Sequence, residues 1–84
     1  MNQVAVTPKS LGQILTRNRK KKKLSQDIVS KKTTIGQKTI SFAEQGSPGT
    51  KIETIFSILS ALDLEMVIQP KEGIDKENTD EEQW

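Results

Sequence analysis

Gln37, Lys38 and Ser41 stand at positions i, i+1 and i+4 of a short segment whose intervening apolar residues are Ile40 and Ala43. On a helix this spacing gathers an amide, an ammonium and a hydroxyl on one side and hydrocarbon on the other. Such groups on an exposed helix hydrogen-bond to base edges in a DNA major groove. Phe42 also faces outward, and two roles stay open for it. It can touch a thymine methyl, or it can pack against the first helix or a second copy. Packing is favoured, because large aromatics gain most from burial. Catalytic chemistry has little to work with. The 84 residues contain no His, Cys or Tyr, which removes the usual general base, thiolate nucleophile and commonest metal ligand. Paired carboxylates occur only near the C-terminus, where nothing fixes their geometry. The chain is therefore read as a binding protein and not an enzyme, with no cofactor and no metal.

Charge points to the same partner. Residues 1–62 carry eleven Lys or Arg against Asp27, Glu44 and Glu53, a net of +8. Residues 63–84 carry Lys71 and Lys76 against eight carboxylates, a net of −6. A basic body suits a polyanion, because neutralised phosphates release counterions. The run from Arg17 to Lys23 is read as a solvated basic face that attracts the backbone without choosing sequence, with Arg17, Arg19 and Lys21 as phosphate contacts. A membrane-surface helix is disfavoured, since Leu11, Ile14 and Leu15 are needed for the core. No apolar run approaches membrane-spanning length and no signal-peptide core is present, so a soluble, cytoplasmic protein is expected.

Four segments position these groups. Residues 1–6 are a short lead. Residues 7–64 form the DNA-binding domain, opened by Thr7 as an N-cap and Pro8 at the first helical position. Leu11, Ile14 and Leu15 make the buried stripe of that first helix, which is expected to fray between Arg17 and Lys23. Residues 24–46 read as a helix-turn-helix: Ser25-Gln26 opens a short helix with Ile28 and Val29 as its apolar positions, a turn follows at Thr33-Thr34-Ile35, and the second helix begins near Gly36. Gly46-Ser47-Pro48-Gly49 is a loop by composition. Thr50 and Glu53 have capping-box spacing, and Ile52, Ile55, Phe56, Leu59 and Leu62 share the face of the last helix, with Ile58 on its flank. In residues 64–70 the period changes to two: Leu64, Met66 and Ile68 alternate with Glu65, Val67 and Gln69, and Pro70 ends the run. A lone strand must pair, and the same strand of a second copy is the simplest partner, with Val4-Ala5-Val6 as the one other candidate segment. Residues 71–84 are polar and acidic, are expected to be disordered, and end on Trp84, the single tryptophan.

These residues resemble a known family. The block from Leu24 to Leu64 is similar to the Xre/Cro-type helix-turn-helix proteins, and among them to the HipB-like antitoxins. The likeness runs through Ser25-Gln26, Lys31-Lys32, Thr39-Ile40-Ser41, the Ile58–Leu62 segment, Leu64 and Met66, to a terminal tryptophan. It implies a mainly α, four- to five-helix domain of the lambda-repressor-like Cro/C1 type, with a short C-terminal strand that pairs across a homodimer through Leu64, Met66, Val67 and Ile68. It further implies binding to double-stranded DNA at an inverted-repeat operator of the protein's own operon. A HipA-type Ser/Thr kinase toxin is the implied partner, with Trp84 docking on it. Carried over by position, Gln37, Lys38 and Ser41 read bases, and Ser25, Gln26, Gly36 and Thr39 contact phosphates. Two positions depart from the family pattern. Thr34 stands where a turn glycine is usual, and a β-branched residue at positive φ is unfavourable. Gly36 replaces a polar side chain at the start of the recognition helix, which leaves a bare backbone N–H for a phosphate. A stand-alone repressor without a toxin is the alternative function, in which the tail only solubilises the protein or marks it for proteolysis.

Overall fold

The hydroxyl of Thr7 accepts from the N–H of Ser10 at 3.0 Å, and the Ser10 hydroxyl accepts from the N–H of Thr7 at 3.0 Å. This reciprocal cap, with Pro8 in the first turn, starts α1 (Pro8–Lys21). A computed structural model describes residues 3–71 of the chain. Beyond α1 it contains α2 (Gln26–Lys32), α3 (Gln37–Glu44) and α4 (Ile52–Ala61). The domain is mainly helical, with four helices among the described residues. Trp84 and the acidic residues after Lys71 lie outside them.

Three of the four helices stop in the same way. The residue after each C-cap takes a left-handed conformation: Lys23 at φ 59°, Gly46 at φ 85° and Asp63 at φ 59°. Each stop is closed by a long bond and a short one: Leu24 N–H to Arg19 C=O (3.1 Å) with Lys23 N–H to Lys20 C=O (2.9 Å), Ser47 N–H to Phe42 C=O (3.0 Å) with Gly46 N–H to Ala43 C=O (3.1 Å), and Leu64 N–H to Leu59 C=O (2.8 Å) with Asp63 N–H to Ser60 C=O (3.2 Å). These pairs satisfy carbonyls that a helix end leaves orphaned. The α1 stop fixes the fraying expected between Arg17 and Lys23 as a clean end at Lys21.

Side chains from all four helices meet in one core. Leu15, Val29, Ile40, Ala43, Ile55, Ile58, Leu59 and Leu62 are buried, and Leu11, Leu24, Ile35 and Leu64 pack at its margin. α1 and α3 approach tightly at Gly12, where a Cβ would collide with the carbonyl oxygens of Glu44 and Ala43. Hydrogen in place of a methyl is therefore what lets α3 seat against α1.

The last helix differs from its sequence reading in two ways. Its N-cap is Lys51 and not Thr50, and no side chain caps it. The N–H of Thr50 is turned back onto the Ser47 carbonyl (3.3 Å), which holds Thr50 in the preceding turn. The buried stripe is Ile55, Ile58, Leu59 and Leu62, so Ile58 is central, while Ile52 and Phe56 are exposed. Both stripes have helical spacing, and packing against α2 and the shared core selects the second. Ile28 of α2 is likewise exposed beside a fully buried Val29. Residues 64–70 form no strand within the protomer; Leu64 packs on the core, and Met66, Val67 and Ile68 are exposed.

Candidate nucleic-acid interface

The interface is built from α2, the turn and α3. Ser25 caps α2, its hydroxyl accepting from the Ile28 N–H at 3.1 Å. Side chains rather than glycine hold the turn. Thr33 donates its hydroxyl to the Val29 carbonyl (3.0 Å) and accepts from the Ile35 N–H (3.1 Å), and Ser30 donates to the Ile35 carbonyl (2.6 Å). With the turn clamped this way, Thr34 stays out of the left-handed region; Lys23 and Asp63 are the non-glycine residues found there. Gly36 is the N-cap of α3 in an extended conformation, φ −66° and ψ 151°, and nothing lies within 4 Å of where its Cβ would be. The approach to this backbone is open.

The two sides of α3 are chemically distinct. Ile40 and Ala43 are buried inward. Gln37, Lys38 and Thr39 are exposed, and among the described residues Lys38 has no acidic partner within ion-pair distance. Ser41 is half-buried, and its Oγ accepts from Gln45 Nε2 at 2.9 Å, which leaves its own O–H to donate. Phe42 is half-exposed, so the protomer by itself supplies no packing site that covers it.

The far end of α3 is fixed by a buried ion pair. Glu44 accepts from Arg19 Nε (2.7 Å) and Nη2 (3.0 Å), a bidentate pair with side chains 11% and 5% exposed for Arg19 and Glu44. Arg19 Nη1 also donates to the Leu24 carbonyl (2.8 Å), and Gln26 Nε2 donates to Glu44 Oε1 (3.0 Å). One carboxylate thus joins α1, the start of α2 and the end of α3. Burial pushes the Glu44 carboxyl up, but the hydrogen bonds from Arg19 and Gln26 and the charge of Arg19 outweigh it and hold the carboxyl below its ordinary value.

This network corrects the sequence reading of Arg19. Its guanidinium is consumed inside the protein and is not available to a phosphate. The Gln26 amide is similarly drawn onto Glu44, which restricts it to its carbonyl side and the helix backbone. Arg17 donates to Gln3 Oε1 (3.0 Å), while its neighbours Lys20 and Lys21 are exposed. Two features escaped the sequence reading. Gly12, a glycine inside an otherwise good helix, signalled a close approach. Glu44, one of three carboxylates in the basic body, signalled a buried pair.

A capped helix, a side-chain-clamped turn and a second helix with one uncommitted polar face make a helix-turn-helix module. The chain belongs to the helix-turn-helix family, whose model matches residues 15–68, and within that family it is a HipB-like protein of the Xre type. It is similar to a HipB variant solved as an O2 20mer complex (29% identity, TM-score 0.81, 86% of this chain and 100% of that one). It is also similar to a HipB–O4 20mer complex (30%, TM-score 0.80, 84% and 100%) and a HipA–HipB–O2–O3 complex (30%, TM-score 0.79, 84% and 100%). No curated protein matches by sequence. The family is one of DNA-binding regulators and not of enzymes. No helix among the described residues is long and apolar enough to cross a membrane.

Proposed function

We propose that the chain is the antitoxin of a toxin–antitoxin pair: a cytoplasmic autorepressor that binds an inverted-repeat operator of its own operon and holds a HipA-type Ser/Thr kinase toxin inactive. The observation that carries this reading is the α3 face, where Gln37, Lys38 and Thr39 are exposed and uncommitted while every inward group is anchored. The likeness to HipB over its full solved length, including a structure with HipA, supports the toxin partner. In this reading two copies pair through Leu64, Met66, Val67 and Ile68 and set their α3 helices about 34 Å apart, one turn of DNA. Gln37, Lys38 and Ser41 read bases. Ser25, Gln26, Gly36, Thr39, Arg17 and Lys21 face phosphates, and Trp84 anchors the tail on the kinase.

The test has two arms. Fluorescence anisotropy with duplexes from upstream of the gene, against scrambled duplexes, measures operator choice. Co-purification with the product of the neighbouring gene, using the full chain and a chain lacking residues 71–84, measures toxin binding. Operator binding unchanged by the truncation together with weakened kinase association supports the antitoxin. Operator binding with no association to any neighbouring product, from either chain, leaves a stand-alone repressor.

A further inference from the structure

Residues 3–6, ahead of α1, are more organised than so short a lead need be. Gln3 Oε1 accepts from Arg17 Nη1 (3.0 Å) and Asn18 Nδ2 (3.1 Å), and Asn18 is buried. At the other end, Val6 N–H donates to Ser10 Oγ (2.9 Å). Pinned at both ends, the lead still leaves Val4 62% and Val6 65% exposed. Residues two apart in an extended segment share a face, so both valines present one apolar edge. The lead borders a groove of about 1520 Å³, larger than the ~300–1,000 Å³ of small-molecule pockets. Leu11, Ile14, Ile55 and Leu59 line it, and the segment from Leu64 to Lys71 borders it too. No backbone hydrogen bond joins the two extended segments, and among the described residues none engages the backbone of Val4, Ala5 or residues 65–70. The groove is therefore bounded by two stretches of unmatched backbone, each able to accept a strand.

We propose that this groove is filled by residues 64–69 of a second copy, and that Gln3–Val6 is the outer strand of the resulting sheet. The inference rests on the dimer reading above and extends it to a segment outside the C-terminal strand. The occupant follows from complementarity and closure. The segment that needs a partner is the chain's own, with Met66, Val67 and Ile68 exposed and Ile68 93% so. If the partner's strand lies between a protomer's lead and its own strand, a two-fold axis generates the order lead, partner strand, own strand, partner lead. That arrangement closes, with both central strands paired on each side and a pinned lead at each edge. The lengths agree: six residues span roughly 20 Å and the four residues of the lead roughly 13 Å, so the lead covers about two thirds of the strand.

The test is sedimentation equilibrium of the full chain and of the Val4→Asn/Val6→Asn variant, with amide hydrogen exchange on both. Because both valines are exposed in the protomer, the variant keeps its helical circular dichroism. The expected result is a wild-type dimer whose dissociation constant rises roughly 10-fold or more in the variant, as an apolar face lost from both ends of a symmetric interface requires. Protection of one of the Val4 and Ala5 amides, the one that faces the partner strand, should appear in the wild-type dimer and vanish with dilution. A wild-type dimer that the variant leaves intact, with those amides unprotected, overturns the inference while the dimer reading stands. A wild-type monomer at tens of micromolar overturns both. Weaker kinase association with an unchanged dimer assigns the groove to the kinase and also overturns the inference.

Discussion

Replacing Glu44 tests whether the buried pair is what fixes α3. In Glu44→Ala, Arg19 keeps the Leu24 carbonyl but loses both bonds to the carboxylate, and Gln26 loses its acceptor. Breaking one side of a buried ion pair costs about 3–5 kcal/mol. At ~0.05–0.15 kcal/mol per residue, a domain of this size has roughly 4–10 kcal/mol in all. Glu44→Ala is therefore expected to remove about half of the folding stability. Glu44→Gln keeps the shape and one acceptor oxygen, and its cost falls to about 1–3 kcal/mol. Urea unfolding followed by circular dichroism, at fixed protein concentration, reads this as a midpoint shift of roughly 1–2 M. The pH dependence has a definite sign. A carboxyl held below its unfolded value contributes stability that is present above the unfolded pKa near ~4.3 and is lost as pH falls through the folded value. The gap between wild type and Glu44→Gln should thus be full at neutral pH and close as the pH drops below about 4. Arg19→Met combined with Glu44→Leu should be more stable than Glu44→Ala alone, since no charge is stranded. A Glu44→Gln protein within ~0.5 kcal/mol of wild type at neutral pH, or a gap that persists in acid, would refute the reasoning.

Gly12→Ala places a methyl against the carbonyls of Ala43 and Glu44, and α1 and α3 must separate; a loss of ~1–3 kcal/mol by thermal or urea melting is expected, together with weaker operator binding. Lys23→Gly relieves a left-handed lysine without touching the core, and the melt should rise by about 1 kcal/mol. Lys38→Ala should relax choice at one operator position by ~1–3 kcal/mol, whereas Lys21→Ala should weaken operator and random DNA alike and lower the salt slope by about 1; anisotropy titrations at several salt concentrations separate the two.

The helix-turn-helix was legible because its signals are local. Thr7-Pro8, Ser25 and the Ile40–Ala43 spacing each specify a start or a face without reference to distant residues, and each stands where the pattern put it. What failed was relational. Nothing in the run Arg17 to Lys23 distinguishes Arg19 from its neighbours until Glu44 is brought beside it, although a planar fork suits a bidentate buried pair better than lysine does. The last helix carries apolar residues around more than half its circumference. Ile52-Ile55-Phe56-Leu59 and Ile55-Ile58-Leu59-Leu62 are equally regular, and only the packing partners choose between them. The usual turn glycine could be dispensed with because Thr33 and Ser30 supply hydrogen bonds that stabilise a different backbone path.

These particulars divide the work of α3 cleanly. Its inward side carries Ile40, Ala43 and the close contact with Gly12, and its C-terminal end carries Glu44, so orientation is set from one side and one end. Its outward side carries Gln37, Lys38 and Thr39, none of which the fold uses. Stability and, in the proposed function, sequence choice therefore draw on separate residues. Substitutions at Gln37 and Lys38 should alter which duplex is bound while leaving the unfolding midpoint in place. Substitutions at Glu44 or Gly12 should reduce affinity for every duplex in proportion to the loss of folded protein.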